Sequence, residues 1–365
     1  MYFYNQKLEY GVSFGPTQSM NYYIKRTFQA VFTVWATLSF TFVLTRWMPG
    51  GPLDYIKAQM ALGNLGPGSG GGGGSGSVDM AQFSQLAQDY VGIDPSKPIY
   101  LQYAEYMIGL LQGDLGQSIW YGEPVSQVLF PAIPWTVFLG SIAVTVSFTT
   151  RVVLGALLAY LEGSKLDFGG TTALIWGHSI PFYIIAIVLI YVFAYQYGWF
   201  PISGRVNADA TPGLNLPFIQ GVLWHATLPI ISLVWVSFGQ GALAMRANSI
   251  QVLGEDYLRA ARLRGIDTDR IALLYVGRNA ILPMYTQMLI QIAFVFAGSV
   301  YLESIFAYPG VGYYLFQGIQ ARDYPLMMGA FILITITVVV AMYVADLTYS
   351  FLDPRIKQGD ASEAY

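Results

Sequence analysis

The chain contains no cysteine, which excludes disulfides, thiolate metal sites and a cysteine nucleophile, and says nothing about which compartment any loop faces. Histidine is almost missing too. His178 and His225 have no carboxylates at ligand spacing, so both read as structural rather than metal-binding. Charged residues make up only 11% of the chain, against roughly a quarter in a soluble domain. The formal net charge of -3 is too small and too dispersed to hold nucleic acid. No Gly-x-x-x-x-Gly-Lys-Ser/Thr loop occurs, and the one glycine-rich tract lacks a lysine to reach nucleotide phosphates. His-Glu-x-x-His, Gly-x-Ser-x-Gly and a carboxylate pair within the apolar runs are also missing. The chain is therefore expected to carry out no catalysis and to bind no cofactor or metal itself.

What is present is apolar: 55% of the 365 residues are hydrophobic and the mean hydropathy is +0.48. Lipid offers backbone groups no hydrogen-bond partners, so such a chain crosses as helices or as a closed barrel, and long runs without alternation select helices. The expected fold class is an all-α polytopic membrane protein with six spans at 27–47, 135–160, 171–195, 227–245, 280–306 and 326–351. Each run matches the ~20 residues that cross a hydrocarbon core of ~30 Å. The first run has no small-residue cleavage site after it and reads as a retained span. With the N-terminus inside, the cytoplasmic side collects Lys7, Lys25, Arg26, Lys165, Arg246, Arg259, Arg262, Arg264, Arg270, Arg278, Arg355 and Lys357. The other side keeps only Arg46, Lys57, Lys97, Arg205 and Arg322. Basic residues in short loops mark the cytoplasmic face, so both termini are expected inside a cell membrane.

The expected division is a cytoplasmic segment 1–24, a first span 25–48, an external cap 49–134, a membrane core 135–351 and a cytoplasmic tail 352–365. Within the cap, 63–77 is a Gly/Ser tract that cannot offset its ordering entropy, whether native or engineered. Beyond it, 80–90 and 99–111 read as short amphipathic helices, with Tyr100, Tyr103 and Tyr106 suited to a membrane interface.

Between the fourth and fifth spans lies GEDYLRAARLRGIDTDRI. Glu255 and Asp256 open a run of helix formers, Arg262 and Arg264 close it, and Gly265 stops it, which suits both the macrodipole and a left-handed cap. Ala260 and Ala261 leave its middle slim enough for another backbone to approach, with Tyr257 and Arg264 as anchors on one face. By itself this helix fits a docking element and a membrane-surface helix equally. Among polar residues in the spans, Arg151 carries an insertion cost of roughly 2.5 to 3.5 kcal/mol if central. It either snorkels to the cytoplasmic side or faces the bundle to pair across an interface. Gln287 and Gln291 share a helical face with Gly298, a stripe that either lines an aqueous path or bonds to a neighbouring helix. Glu303 and Asp346, near span ends, are expected to make local hydrogen bonds or inter-subunit pairs.

The stretch DYLRAARLRGIDTDRIALLYVGRNAILP at 256–283 resembles the EAA-type signature of ABC importer permeases, in the form seen in the dipeptide and oligopeptide permease family. Further stretches match in order: GIDPSKPIYLQY from 92, GDLGQSIWYGEPV from 113, IPFYIIAIVLIYVFAYQYGWFPISG from 180, LESIFAYPGVGYYLFQGIQARDYPL from 302 and DLTYSFLDPRI from 346. Asn279, Pro283, Glu303, Pro309, Gly310, Arg322, Asp323, Asp353 and Pro354 are its structural motif positions. Where the usual signature has a glutamate, two positions before the second alanine, this chain has Arg259, which leaves the exact ATPase contacts open.

The resemblance implies a type I ABC importer permease fold (MetI-like). It implies a second homologous permease subunit, two cytoplasmic ATPase subunits that bind ATP and Mg, and an external solute-binding protein that delivers dipeptides, oligopeptides or related solutes. The 255–265 helix would then be the coupling helix, and transport would proceed by alternating access. The alternative is a secondary transporter or channel acting alone, for which inverted repeats and intramembrane charges are expected.

Overall fold

The computed structural model describes residues 16–47, 50–61, 80–207, 209–267 and 270–352. The Gly/Ser tract at 63–77 and the motif residues Asp353 and Pro354 lie outside the described residues. Among those described, every regular element is helical. Helix α1 (Pro16–Trp47) turns Ile24, Phe28, Val31 and Trp35 outward, the exposure expected of a helix solvated by lipid. It lies along the last helix, α13 (Tyr324–Leu352), where Arg26 Nη1 is 3.3 Å from Asp346 Oδ2 and the hydroxyls of Thr27 and Tyr343 share a hydrogen bond of 2.8 Å. Asp346 thus has an ionic partner within its own chain.

Three short helices, α2 (Pro52–Ala61), α3 (Met80–Val91) and α4 (Ile99–Leu111), follow α1. Ile56, Phe83, Ala87, Ile93 and Tyr106 are buried together against Phe42 of α1 and Met328 of α13. The tyrosines expected at a membrane interface therefore divide. Tyr100 is exposed, Tyr103 shares a hydroxyl hydrogen bond with Ser39 at 2.8 Å, and Tyr106 belongs to this apolar cluster.

The bundle begins with α5 (Val125–Leu129), which runs through one 3-10 turn into α6 (Ile133–Tyr160). Next come α7 (Lys165–His178), α8 (Phe182–Leu189) with a π-helical extension Ile190–Gln196, and α9 (Leu216–Leu253). A short α10 (Asp256–Leu263) and a π-helical turn Ile271–Gly277 lead to α11 (Arg278–Ile305), followed by α12 (Val311–Ala321) and α13. Four described helices are long and apolar enough to cross a membrane: Ile24–Leu44, Val125–Tyr160, Leu216–Trp235 and Tyr324–Thr348. A fifth is added if α7 and α8 form one broken span. The remaining expected span, 280–306, the fifth in chain order, falls on α11, a helix of 28 residues.

The expected continuous span 171–195 is corrected, because α7 and α8 meet at a bend of 93°. Pro181 causes it. A proline disfavours helical backbone at the residue before it, and Pro181 itself is extended (ψ 142°) as the N-cap of α8. Sheer apolarity hid the break from a hydropathy window.

Helices α6 and α9 form the most extensive contact of the bundle. Small residues permit it: a Cβ on Gly155 would lie 2.5 Å from the Ala242 carbonyl oxygen and 2.5 Å from Met245 Cβ. The Ser237 hydroxyl donates to Ser147 Oγ across the same seam at 2.7 Å.

Candidate functional site

The α7–α8 break opens onto a cavity of about 560 Å³ between α6, α9 and α11. Irregular backbone within a membrane bundle is tolerated where it lines such a space rather than lipid. Its polar lining comes from Arg151, His178, Ser237, Gln240, Gln287 and Gln291, and its apolar lining includes Phe182, Leu233 and Val295. Gln287 is exposed and Gln291 half-buried, so the glutamine stripe faces this space. Gly298, seven residues beyond Gln291, lies on the same helix.

Arg151 does not snorkel. It is only 3% exposed, its Nε donates to the Ser147 carbonyl at 3.3 Å, and its side chain lies across Gly241 of α9. A helix position gives depth in the membrane but not rotation, and here the rotation points inward.

The 255–265 segment folds as the separate helix α10, with Glu255 as N-cap. Its far end is a complete Schellman cap: Ile266 N–H donates to the Ala261 carbonyl at 3.3 Å, and Gly265 N–H to the Arg262 carbonyl at 3.0 Å. Gly265 supplies the left-handed φ of +67° that this motif requires. Leu258 and Ala261 are buried against Ile271 and Val276, so Ala261 packs inward and is no part of the outer face. Asp256, Tyr257, Arg259, Ala260, Leu263 and Arg264 are exposed. Leu263 is 84% exposed, a large apolar side chain left uncovered on the outer face of α10. Tyr257 is tied down, its hydroxyl accepting from Asn279 Nδ2 at 2.9 Å, while the same amide donates to the Tyr275 carbonyl at 2.9 Å. Asn279 thus joins α10 to the start of α11. Pro283, one turn further on, is exposed inside α11.

The remaining motif positions form two joints. In the first, Glu303 is fully buried and its Oε2 accepts the Tyr313 N–H at 3.0 Å at the start of α12. Thr136 Oγ1 accepts the Val311 N–H at 2.8 Å. Gly310 must be glycine, since a Cβ there would lie 2.5 Å from both Glu303 Oε2 and Thr136 Oγ1. Arg205 closes the joint by donating from Nη1 to the Pro309 carbonyl at 2.8 Å while its guanidinium sits 4.8 Å over the Trp135 ring.

In the second joint, Arg322 ends α12 in the left-handed conformation and Asp323 immediately precedes α13. Asp323 is 1% exposed and accepts from Ser118 Oγ at 2.5 Å, Trp120 N–H at 2.9 Å and Leu326 N–H at 3.1 Å. Two stretches read separately in the sequence, GDLGQSIWYGEPV and QARDYPL, are therefore one structure.

One pair was missed in the sequence. Arg246 of α9 grips Asp167 of α7 through two bonds of 2.7 Å, Nε to Oδ1 and Nη2 to Oδ2. The available signal was the run SKLD at 164–167, a Ser-x-x-acid helix start, and Ser164 Oγ indeed caps the Asp167 N–H at 3.1 Å.

Comparison with known proteins agrees with this architecture. The family model described as binding-protein-dependent transport system inner membrane component matches residues 151–358. The di/tripeptide transport system permease protein DppB of Pseudomonas aeruginosa (strain UCBPP-PA14) is 30% identical over 330 residues, 87% of this chain and 93% of that protein. The oligopeptide transport system permease protein AppB of Bacillus subtilis (strain 168) is 30% identical over 338 residues, covering 92% and 99%. The dipeptide transport system permease protein DppB of Escherichia coli (strain K12) is 30% identical over 283 residues, covering 73% and 83%. By the match across the Arg151 to α13 region and by these near full-length likenesses, the chain belongs to the family of binding-protein-dependent transport system inner membrane components and is a permease subunit of an ABC importer.

Proposed function

We propose that this permease subunit carries dipeptides, oligopeptides or closely related solutes, and that motion enters it through α10. The cargo reading rests on the relatives, which are transport permeases for di/tripeptides and oligopeptides. The coupling reading rests on one observation: α10 is a short rod closed by a Schellman cap that leaves Ala260 and Leu263 outward while Asn279 ties it to α11. A helix so fixed transmits displacement to α11, and Gln287 and Gln291 of that helix line the cavity.

In this reading α11 is also a span and completes a set of six, both termini are cytoplasmic, and α2 to α4 form an external cap over the bundle. A second permease completes the channel. Two ATPase subunits bind ATP and Mg and dock α10, and an external binding protein delivers cargo. The test is uptake of a labelled tripeptide into liposomes holding the full complex. ATP-dependent uptake that falls at least fivefold in the Gln287→Leu, Gln291→Leu variant, with assembly intact, is expected. Uptake by the lone chain without ATP would overturn the reading in favour of a secondary transporter.

A further inference from the structure

Arg151 is a cation with unspent hydrogen-bonding capacity inside an otherwise apolar bundle. Its Nη2 is buried and has no hydrogen-bond partner among the described residues, and no ion pair among them includes it. An arginine held this way leaves a large desolvation cost uncompensated, and structures ordinarily remove such a cost by pairing. The side chain is nonetheless held in one place. Ser147 fixes Nε, and Gly241 provides the groove, since a Cβ there would lie 2.6 Å from Arg151 Cδ and 2.8 Å from Nε.

Among the described residues, the walls of the space that Arg151 lines include no Asp or Glu. It has instead neutral amide donors, the side chains of Gln240, Gln287 and Gln291. Phe182, the first residue of α8, also lines it, so the positive end of that broken helix opens at the same cavity. One cation, a helix start and several amides around a space of about 560 Å³ make a site for a small solute bearing a negative group.

We propose that this cavity is a carboxylate-binding station, in which Arg151 takes the carboxylate of the passing solute and the amides of Gln240, Gln287 and Gln291 bond its peptide groups. The planar fork of arginine suits a carboxylate. The station rests on the transport reading above and deepens it. Selection here is for a negative terminus rather than for side-chain identity.

The experiment uses the assembled complex of both permeases and both ATPases in nanodiscs, without the external binding protein. Equilibrium binding of radiolabelled trialanine is compared with that of trialanine amide, which lacks only the carboxylate charge. The acid is expected to bind at least tenfold tighter than the amide, Arg151→Gln to erase that preference, and Arg151→Lys to keep part of it. Gly241→Ala, which fills the groove and displaces Arg151, is expected to bring the acid-to-amide ratio toward one. Equal binding of acid and amide by the unaltered complex, or an undiminished preference in Arg151→Gln, overturns the station. If acid and amide bind equally while Arg151→Gln instead dissociates the two permeases, the arginine is an interface residue and the proposal is wrong. Should Arg151→Gln fail to assemble, the acid-to-amide ratio of the unaltered complex and the Gly241→Ala variant still decide. The transport reading fails separately, through loss of ATP-driven uptake by a complex that still prefers the acid.

Discussion

Replacing Asp323 with alanine tests whether the loop at 113–124 is held to the bundle by one side chain. The carboxylate accepts three bonds, from Ser118, Trp120 and Leu326. The bond to Leu326 N–H is an N-cap worth about 1 kcal/mol. Bonds to a charged acceptor contribute about 1.5 to 3 kcal/mol each, so the two loop bonds add roughly 3 to 6. Water entering the opened joint will recover part of this, leaving about 4 kcal/mol. Because every 1.4 kcal/mol is a factor of ten, opening of the joint should become several hundred-fold more frequent, on the order of 10²–10³.

The absence of cysteine makes the assay clean. Val125 is fully buried beside the joint, and its N–H donates to the Gly116 carbonyl at 2.9 Å. In a Val125→Cys background, the rate of thiol labelling by a membrane-impermeant reagent reports opening. A rise of at least a hundredfold on adding Asp323→Ala, with a smaller rise for Asp323→Asn, is expected. A rise below tenfold would show that apolar packing around Leu129, Val311 and Leu326 holds the loop without the aspartate.

Three other perturbations follow from the packing. Gly155→Leu should cost more than the ~1–3 kcal/mol usual for overpacking, because a backbone carbonyl blocks the new Cβ. Gly169→Ala, with nothing within 4 Å, should be neutral or stabilising, and equal Tm values for the two variants would contradict this. Arg246→Gln leaves Asp167 without its cation and should lower Tm, with most of the loss regained when Asp167→Leu is added. A double variant no more stable than the single would refute that pairing.

Asp94 is pulled below the ordinary carboxyl range by the Ser96 hydroxyl and N–H, which donate at 2.6 and 3.0 Å. A depressed carboxyl stabilises the fold above its unfolded pKa of about 3.9, and that contribution fades as pH falls through the lower folded value. The Tm gap between Asp94→Asn and the parent should therefore be constant from pH 8 to pH 6 and close below about pH 4. A gap that closes between pH 6 and pH 8 would contradict this.

Much of the helix pattern was legible in the sequence. The helices at 80–91 and 99–111 and the rod ending at Gly265 fall where periodicity, acid-to-base order and a glycine stop placed them. What escaped was information carried by rotation or by distance along the chain. Hydropathy averages across Pro181 and so returned a straight span where the backbone turns by 93°. Ala261 looked like open docking surface because two adjacent alanines are indistinguishable by composition, yet on a helix they lie about 100° apart and only Ala260 is exposed. Asp323 and Ser118 are 205 residues apart, so no local pattern could join them. The glutamine stripe was found from spacing alone, but its Arg151 counterpart on α6 required the fold.

The account stands or falls on what touches α10. With the chain free of cysteine, Leu263→Cys can be paired with single cysteines placed in the nucleotide-binding subunit that co-purifies with it, and cross-linking followed with and without ATP. A disulfide that forms at Leu263, changes yield with ATP and stops peptide uptake until reduced is the expected result. If no position on the ATPase reaches Leu263, and Leu263→Glu leaves uptake at the parent rate, motion does not enter the permease through this helix.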